Sequence, residues 1–223
     1  MNTQKSSLVR IGYLSGIIAV IQFVILTAIA MAIYPGGYSL FRNLFSQLGC
    51  TVLSNNGQSC MPSRIIFIIA CTITAVLNIP FMLALRTNFT QTKAEKYLSG
   101  AGTFLGITAS PFLSLLSIFP ANLQFGAHIL VTRLFFLLFG QAVIIFTTAL
   151  ILNKNYNKVM AFYGVLVAIA ALLYIFLFIQ NAAFQKFTVY FMISWVIVQG
   201  IYLWNRKKFL GKQSRSDYKK MHF

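Results

Sequence analysis

Six polar side chains, in two separate stretches of the chain, could together bind an anion. Four of them lie within residues 42–47 and two within residues 128–133. In chain order they are Arg42, Asn43, Ser46, Gln47, His128 and Arg133. The guanidinium group is a permanently charged, planar donor that fits phosphate oxygens, and amide, hydroxyl and imidazole groups add hydrogen bonds. These residue types therefore predict a binding site for a lipid headgroup or another anion.

Acidic side chains are almost missing from the sequence. The chain has 18 Lys and Arg residues against two carboxylates, Glu95 and Asp217, and a formal net charge of +16. Paired-carboxylate hydrolases and Mg²⁺ or Ca²⁺ sites need several acidic side chains. A zinc site needs three or four ligands, and the region of the predicted site offers one His and two Cys. We therefore expect no catalytic residue, no metal and no cofactor.

The segment 39–49 has the spacing of a short amphipathic helix. Apolar residues at positions 40, 41, 44, 45 and 48 fall on one helical face, and the four polar site residues of this segment lie on the other. Ser39 can cap the start, and Gly49 can end the helix in the left-handed conformation. We expect the helix to lie on, or insert into, the outer membrane face as one wall of the site.

Cys50 and Cys60 follow this segment in the same long link. Outside the cytosol, two thiols at this spacing can form a disulfide, which would close a small loop around the turn-forming residues 55–57. We favour a structural disulfide. A redox-active pair is the alternative, although the chain has no C-x-x-C motif. The third cysteine, Cys71, lies in an apolar stretch and is expected to be a buried, inert residue.

The remaining sequence consists mainly of membrane spans. The chain is 58% hydrophobic and 9% charged, whereas a soluble domain has about 25% charged residues. Six stretches reach the length of about 20 residues that crosses the hydrocarbon core. They cover residues 11–33, 65–85, 97–119, 129–152, 159–179 and 187–204. Because lipid offers the backbone no hydrogen-bond partners, we expect an all-α, polytopic membrane protein with six transmembrane helices.

The first and last spans have features of their own. The first exceeds the apolar region of about 7–15 residues that a signal peptide has, so we expect a retained helix. The last span is the shortest, and its Trp195, Tyr202 and Trp204 fit an interfacial aromatic position.

Lys and Arg residues are distributed unevenly between the two sides of such a bundle. Fourteen fall on the side of the termini, and four fall on the other side. The positive-inside rule then predicts a cell-membrane protein with both termini in the cytoplasm. Residues 1–204 would form one transmembrane domain, and residues 205–223 a basic cytoplasmic tail that is solvated and partly disordered. The chain has no recognised nucleic-acid-binding fold, so we expect no nucleic-acid partner.

Two motifs relate the chain to a known family. Residues 43–49 read N-L-F-S-Q-L-G, and a Phe119–Pro120 pair precedes His128 and the paired aromatics Phe135–Phe136. This pattern resembles the domain of unknown function 998 family of six-helix bacterial and archaeal membrane proteins, whose first-loop motif is N-x-L-S-D-L-G. Gln47 stands where the family usually has Asp, so it can hydrogen-bond but cannot do carboxylate chemistry. The family is similar to DRAM- and FRAG-type proteins linked to lipid distribution, which implies a lipid-related role.

Three functions remain open at this point. The favoured one is binding of a lipid headgroup or other anion at the outer face, with membrane lipids as partners and both site stretches meeting in one recess. The second is an accessory or structural subunit in a homo- or hetero-oligomer. The third is an enzyme that uses His128 as a base or the two loop cysteines as a redox pair. A secondary transporter is a weaker variant of the first, because intramembrane ionisable residues and clear repeats are missing.

Overall fold

A computed structural model describes the backbone of residues 3–53 and 57–221 and the side chains of residues 7–53 and 57–205. The described residues form six α-helices, each long and apolar enough to cross a membrane, and no strand beyond an isolated bridge between Val52 and Ser59. The helices are α1 (Thr3–Ala32), α2 (Met61–Arg86), α3 (Lys93–Ile118), α4 (Phe125–Leu152), α5 (Lys158–Leu177) and α6 (Ala182–Met221). All six predicted spans are confirmed, and the chain is an all-α, multi-pass membrane protein.

The six helices form a ring in chain order. Each helix packs against the next one, and α6 returns to pack against α1. Successive helices are antiparallel, so the links after α1, α3 and α5 lie at one end of the bundle, which we call the loop end. The predicted site residues belong to the first two of these links or to the helix start beside them. The topology therefore brings both predicted stretches to the same end.

Glycines on the inner helix faces let the backbones approach closely. A methyl group on Gly12 of α1 would lie 2.4 Å from the Cβ of Ala84 and 2.6 Å from the carbonyl oxygen of Pro80, both in α2. On α3, a methyl group on Gly102 would meet Phe146 at 2.9 Å, and one on Gly106 would meet Met82 at 2.8 Å. Close approach of this kind is how helices gain packing contacts in lipid, where no hydrophobic force drives them together.

Trp195 lies in the centre of the bundle, and its predicted interfacial position is wrong. Its side chain is fully buried, and its ring meets those of Phe81, Phe139 and Phe146 at centroid distances of 6.4–6.5 Å. The reason is that Trp195 is on the side of α6 that faces the interior of the helix ring. Tyr202 and Trp204, near the end of the bundle opposite the loop end, remain partly exposed. A large aromatic side chain there fills the space where several helices converge.

The one described carboxylate lies at the end of the bundle opposite the loop end. Glu95 in the first turn of α3 is fully buried, and its Oε2 accepts hydrogen bonds from the Gln91 N–H at 3.3 Å and the Asn153 amide at 3.2 Å. Thr92 caps the same helix by accepting from the Glu95 N–H at 3.1 Å. A negative side chain at a helix N-terminus is favoured by the helix dipole. The position leaves the loop end without an acidic group.

The basic tail continues the last helix. The backbone of α6 is helical through Met221, so no break separates the predicted domain of residues 1–204 from the tail of residues 205–223. Lysine and arginine are good helix formers, which is consistent with this continuation. The tail side chains after Asn205, including the predicted basic surface, lie outside the described residues.

Replacing Gly12 by Ala tests the close packing of α1 on α2. The added methyl group would overlap a backbone carbonyl oxygen of α2, so we expect a loss of about 1–3 kcal/mol and a lower melting temperature. Gly126→Ala is the control, because a methyl group there would have no neighbour within 4 Å. Both glycines are helical, and only the Gly12 substitution places the added methyl group against another helix. Equal melting temperatures of the two variants in detergent would contradict the packing.

Candidate functional site

The first link contains a short 3₁₀ helix, Phe45–Gly49, rather than the longer amphipathic helix predicted over residues 39–49. The reason is that side chains occupy the backbone donors that a longer helix would need. The Leu44 N–H donates to Gln47 Oε1 at 3.0 Å, and the Phe45 N–H donates to Gln185 Oε1 at 2.7 Å. Ser39 does not cap a helix, and the left-handed glycines of the described residues are Gly36, Gly37 and Gly57, not Gly49.

The 3₁₀ helix is inserted into the loop end of the bundle. Phe45 and Leu48 are buried, with 4% and 0% of their side chains exposed. The Ser63 hydroxyl of α2 donates to the Leu48 carbonyl at 3.2 Å. Leu40 and Phe41 point outward, with 50% and 80% exposed, and Leu44 is half-buried in the wall of a recess described below. The predicted apolar face is therefore divided, and only its second half packs between α2, α3 and α6.

A disulfide closes the end of this link. The sulfurs of Cys50 and Cys60 are bonded, and their Cα atoms lie 5.6 Å apart. The Cys60 N–H donates to the Thr51 carbonyl at 2.9 Å, and a single antiparallel bridge joins Val52 to Ser59. Both cystine halves are buried. Of the predicted turn at residues 55–57, only Gly57 belongs to the described residues. The bonded pair fixes the segment that connects the 3₁₀ helix to α2.

Asn43 and Gln47 hold the first link in shape through their amide groups. The Ser39 N–H donates to Asn43 Oδ1 at 2.8 Å, and Asn43 Nδ2 donates to Gln47 Oε1 at 2.9 Å. The Gln47 oxygen therefore accepts twice, once from this amide and once from the Leu44 N–H. Its own amide nitrogen forms no hydrogen bond with any described residue. Within the protein Gln47 acts as an acceptor, which is a role that an aspartate or glutamate can also fill.

His128 lies in the first turn of α4 with 3% of its side chain exposed. Its Nδ1 is 2.9 Å from the carbonyl oxygen of Phe119, and its Nε2 is 3.5 Å from the Thr132 hydroxyl. A carbonyl oxygen can only accept, so Nδ1 carries the proton and Nε2 presents a lone pair. The Phe119 carbonyl thus fixes both the tautomer and the orientation of the ring.

A recess of about 330 Å³ opens where the first link, the start of α4 and the α5–α6 link meet. Four of the six predicted residues line it, namely Arg42, Ser46, Gln47 and His128. The Ser46 hydroxyl forms no hydrogen bond with any described residue, so it is available to a ligand. No carboxylate lines the recess. Its wall therefore combines a permanent positive charge with neutral donors and acceptors.

The structure does not bring the other two predicted residues into the wall of the recess. Asn43 lies behind it and bonds to Gln47. Arg133 is exposed on α4 and is not part of the lining. It follows His128 by five residues, which is a rotation of about 140° around an α-helix, so the two side chains leave different faces. Thr132, four residues after His128, is the α4 residue that faces the recess instead.

Sequence reasoning missed the residues of α5 and α6 that complete the site. Gln185 accepts from the Phe45 N–H and donates through Nε2 to the Tyr174 hydroxyl at 2.8 Å. Tyr174 in turn donates to the carbonyl of Ile179 at 2.9 Å, which fixes the α5–α6 link. Both side chains line the recess. The available signal was a glutamine beside a lysine just before the last apolar span.

Lys186 is a buried cation beside the site. Only 5% of it is exposed, and its ammonium group donates to the Asn43 carbonyl and, at 3.4 Å, to the Ala182 carbonyl. It also lies 5.1 Å from the ring centre of Tyr38 and 5.4 Å from that of Phe45. No described carboxylate pairs with it. Carbonyl dipoles and aromatic faces therefore hold this charge.

Tyr38 supports the same carbonyl. Its hydroxyl donates to the Asn43 carbonyl oxygen at 3.1 Å. Burial raises the pKa of Tyr38, so the phenol remains a neutral donor at physiological pH.

The described residues contain no group of three or more His, Cys, Asp or Glu side chains that could hold a metal ion. Both loop thiols are engaged in the disulfide. The chemistry that the recess offers is hydrogen bonding and positive charge.

One family model, described as "Protein of unknown function (DUF998)", matches residues 17–202. The chain belongs to this family. The match includes all six spans in whole or in large part and both stretches of the site, and it confirms the family that the sequence resembles. No curated protein and no solved structure matches the chain.

The geometry gives the two motifs of this DUF998 protein a physical basis. The Phe119–Pro120 pair ends α3 and leaves the Phe119 carbonyl free to accept from His128, so these separated positions form one unit. In the first-loop motif, Asn43 and Gln47 bond to each other. The Gln47 oxygen accepts both of the hydrogen bonds that shape this motif.

Gln47→Leu and Gln47→Glu together test the acceptor role. Leucine removes an acceptor that serves two donors, so we expect a loss of about 1–3 kcal/mol in unfolding free energy, while glutamate keeps the acceptor and should remain near the native stability. Thermal unfolding in detergent is the measurement. The role is contradicted if leucine is tolerated, or if glutamate destabilises the protein as much as leucine does.

Proposed function

We propose that the protein binds a phosphate-bearing ligand, either a lipid headgroup or free phosphate, in the recess at its loop end. The observation that carries the proposal is the recess itself, which joins Arg42 and His128 with free hydrogen-bonding groups and contains no carboxylate. An uncompensated positive wall attracts an anion, since no internal partner has to be displaced.

The lining supplies complementary groups for a phosphate. Arg42 at the exposed rim can bind two oxygens at once through its fork. The Ser46 hydroxyl and the Gln47 amide nitrogen have no bond to a described residue and can donate deeper in the recess. His128 Nε2 can accept the proton of a phosphate monoester, or donate to the phosphate once it is protonated. A hydrogen bond to a charged group contributes about 1.5–3 kcal/mol.

The proposed location of the recess is the outer face of the cell membrane. The support is the excess of Lys and Arg in the links and termini at the opposite end of the bundle, which favours a cytoplasmic position for that end. A ligand would then arrive from the outer leaflet or from the external solution.

The catalytic alternatives have weaker support. No carboxylate orients His128, because a backbone carbonyl occupies its Nδ1. Cys60 is fully buried and Cys50 is 7% exposed, so the disulfide is poorly accessible to a redox partner. A bonded, buried pair is typical of a structural disulfide.

Arg42→Gln tests the anion site, with Arg133→Gln as a matched control. Both substitutions remove one arginine charge near the loop end, but only Arg42 lines the recess. Binding is measured with two probes, inorganic phosphate and a soluble short-chain phosphatidic acid. We expect Arg42→Gln to weaken binding about tenfold or more, and Arg133→Gln to bind as the native chain does.

The two probes distinguish the sources of the phosphate. Binding of phosphatidic acid but not of inorganic phosphate identifies a lipid headgroup site, whereas equal binding identifies a general phosphate site. The proposal is wrong if the native chain binds neither probe, or if the two arginine variants lose the same affinity.

Reduction of the disulfide separates a structural role from redox cycling. Because both sulfurs are buried, we expect a phosphine reductant to leave the folded protein resistant to alkylation by a bulky maleimide. After denaturation, the maleimide should modify three cysteines in the reduced sample and one in the unreduced sample. The mass of the protein gives the number of modified cysteines. Reaction of two cysteines in the folded protein under mild reduction would support a redox pair instead.

A further inference from the structure

A second cavity lies deeper in the bundle, below the recess. Its volume is about 90 Å³, and it is enclosed by α1, α2, α3, α4, α6 and the 3₁₀ helix, while α5 stays outside. Of its 21 lining side chains, six are phenylalanines, eight are aliphatic or methionine, and seven carry a polar group or a thiol. We call this cavity the chamber. An apolar cavity is not stabilised by water, so its natural occupant is also apolar.

Away from the wall shared with the recess, the amide and hydroxyl groups that line the chamber are paired within the protein. Asn78 Nδ2 donates to the Gly106 carbonyl at 3.1 Å and to the Ser110 hydroxyl at 3.0 Å. The Thr74 hydroxyl donates to the Ala70 carbonyl at 2.8 Å. The Asn78 bonds join α2 to α3 and the Thr74 bond lies within α2, so this deeper part of the wall has no unpaired amide or hydroxyl donor for a polar ligand. A polar molecule in the chamber would lose its hydration without compensation.

The chamber and the recess are neighbours with a common wall. Ser46, Thr132 and Gln185 line both. A ligand with a charged end in the recess therefore has an apolar space directly beneath it. Only an amphiphile matches both environments.

The depth of the chamber fits one leaflet. Its lining on α6 extends from Gln185 to Val196, which is a rise of about 16 Å along the helix. Half of the hydrocarbon core, the part that a single acyl chain fills, is about 15 Å. The chamber thus extends from the loop end to the middle of the membrane.

We propose that the chamber holds one acyl chain of the lipid whose phosphate occupies the recess. The proposal rests on the anion site proposed above, and it adds the ligand class, which is a phospholipid or another phosphate-bearing amphiphile. A second chain, where the lipid has one, stays in the surrounding bilayer. For an alkyl phosphate that binds from water, each methylene that enters the chamber should raise the affinity about fourfold, until the chamber is full.

Two alanines of α1 provide a filling variant and its control. Ala19 lines the chamber, so Ala19→Phe places a ring in it. Ala28 is exposed on the same helix, so Ala28→Phe adds the same ring outside. If Ala19→Phe does not give a monodisperse protein, Val196→Phe fills the chamber from α6 instead.

Cys71 reports directly on occupancy. It lines the chamber and is the one free thiol of the chain, because the other two cysteines are bonded to each other. Its modification by methylmercury, a small apolar thiol reagent, is followed with inorganic phosphate or dodecyl phosphate present. We expect dodecyl phosphate to protect the thiol and inorganic phosphate to leave it reactive. Dodecyl phosphate that merely enters the detergent micelle would not protect Cys71, because it would not cover the buried thiol.

Binding of the two probes completes the test. Ala19→Phe should weaken dodecyl phosphate binding at least tenfold and leave inorganic phosphate binding unchanged, while Ala28→Phe affects neither. The acyl-chain proposal is overturned if Cys71 is not protected, or if both phenylalanine variants bind dodecyl phosphate equally. A mixed result separates the two proposals. If dodecyl phosphate protects Cys71, but inorganic phosphate does not bind and Arg42→Gln does not weaken binding, the chamber proposal holds and the recess proposal is wrong.

Discussion

The loop end depends on one requirement, that a polypeptide segment entering an apolar bundle must have its backbone hydrogen bonds supplied by the protein. In the 3₁₀ helix, side chains supply these backbone hydrogen bonds. Gln185 and Gln47 accept from consecutive backbone N–H groups at positions 45 and 44, and Ser63 donates to the carbonyl of Leu48. Because these bonds hold the segment between the helices, Arg42 stays at the rim and Ser46 faces inward. The positions of both cavities follow from this arrangement.

The helices were predictable because their signal is local. Runs of apolar residues without charges satisfy their own backbone bonds as helices, whatever surrounds them. The 3₁₀ helix was not predictable in its length, because the acceptor that fixes Phe45 lies 140 residues later in the chain. The rings that pack on Trp195 are also far away in the chain, at separations of 49 to 114 residues, so composition alone suggested a place at the interface.

The candidate site was predictable in its location and only partly in its members. Alternation of the chain across the bundle puts residues 42–47 and His128 at the same end, and Arg42, Ser46, Gln47 and His128 line one recess there. Arg133 does not line the recess, because its side chain leaves α4 in a different direction from that of His128. The spacing of five residues between them was already enough to predict this difference. Lys186, Gln185 and Tyr174 escaped notice since polar residues at the ends of spans are common and their partners are remote.

The bond between Gln185 and Phe45 joins two segments that are synthesised at different times. The segment that carries Arg42 leaves the ribosome early, but its acceptor arrives with the last helix. During translation, the Phe45 N–H therefore lacks its Gln185 acceptor while four more spans enter the bilayer. A chain cut short before α6 would keep five spans and lose its pocket walls. Both cavities are therefore complete only when α6 is in place.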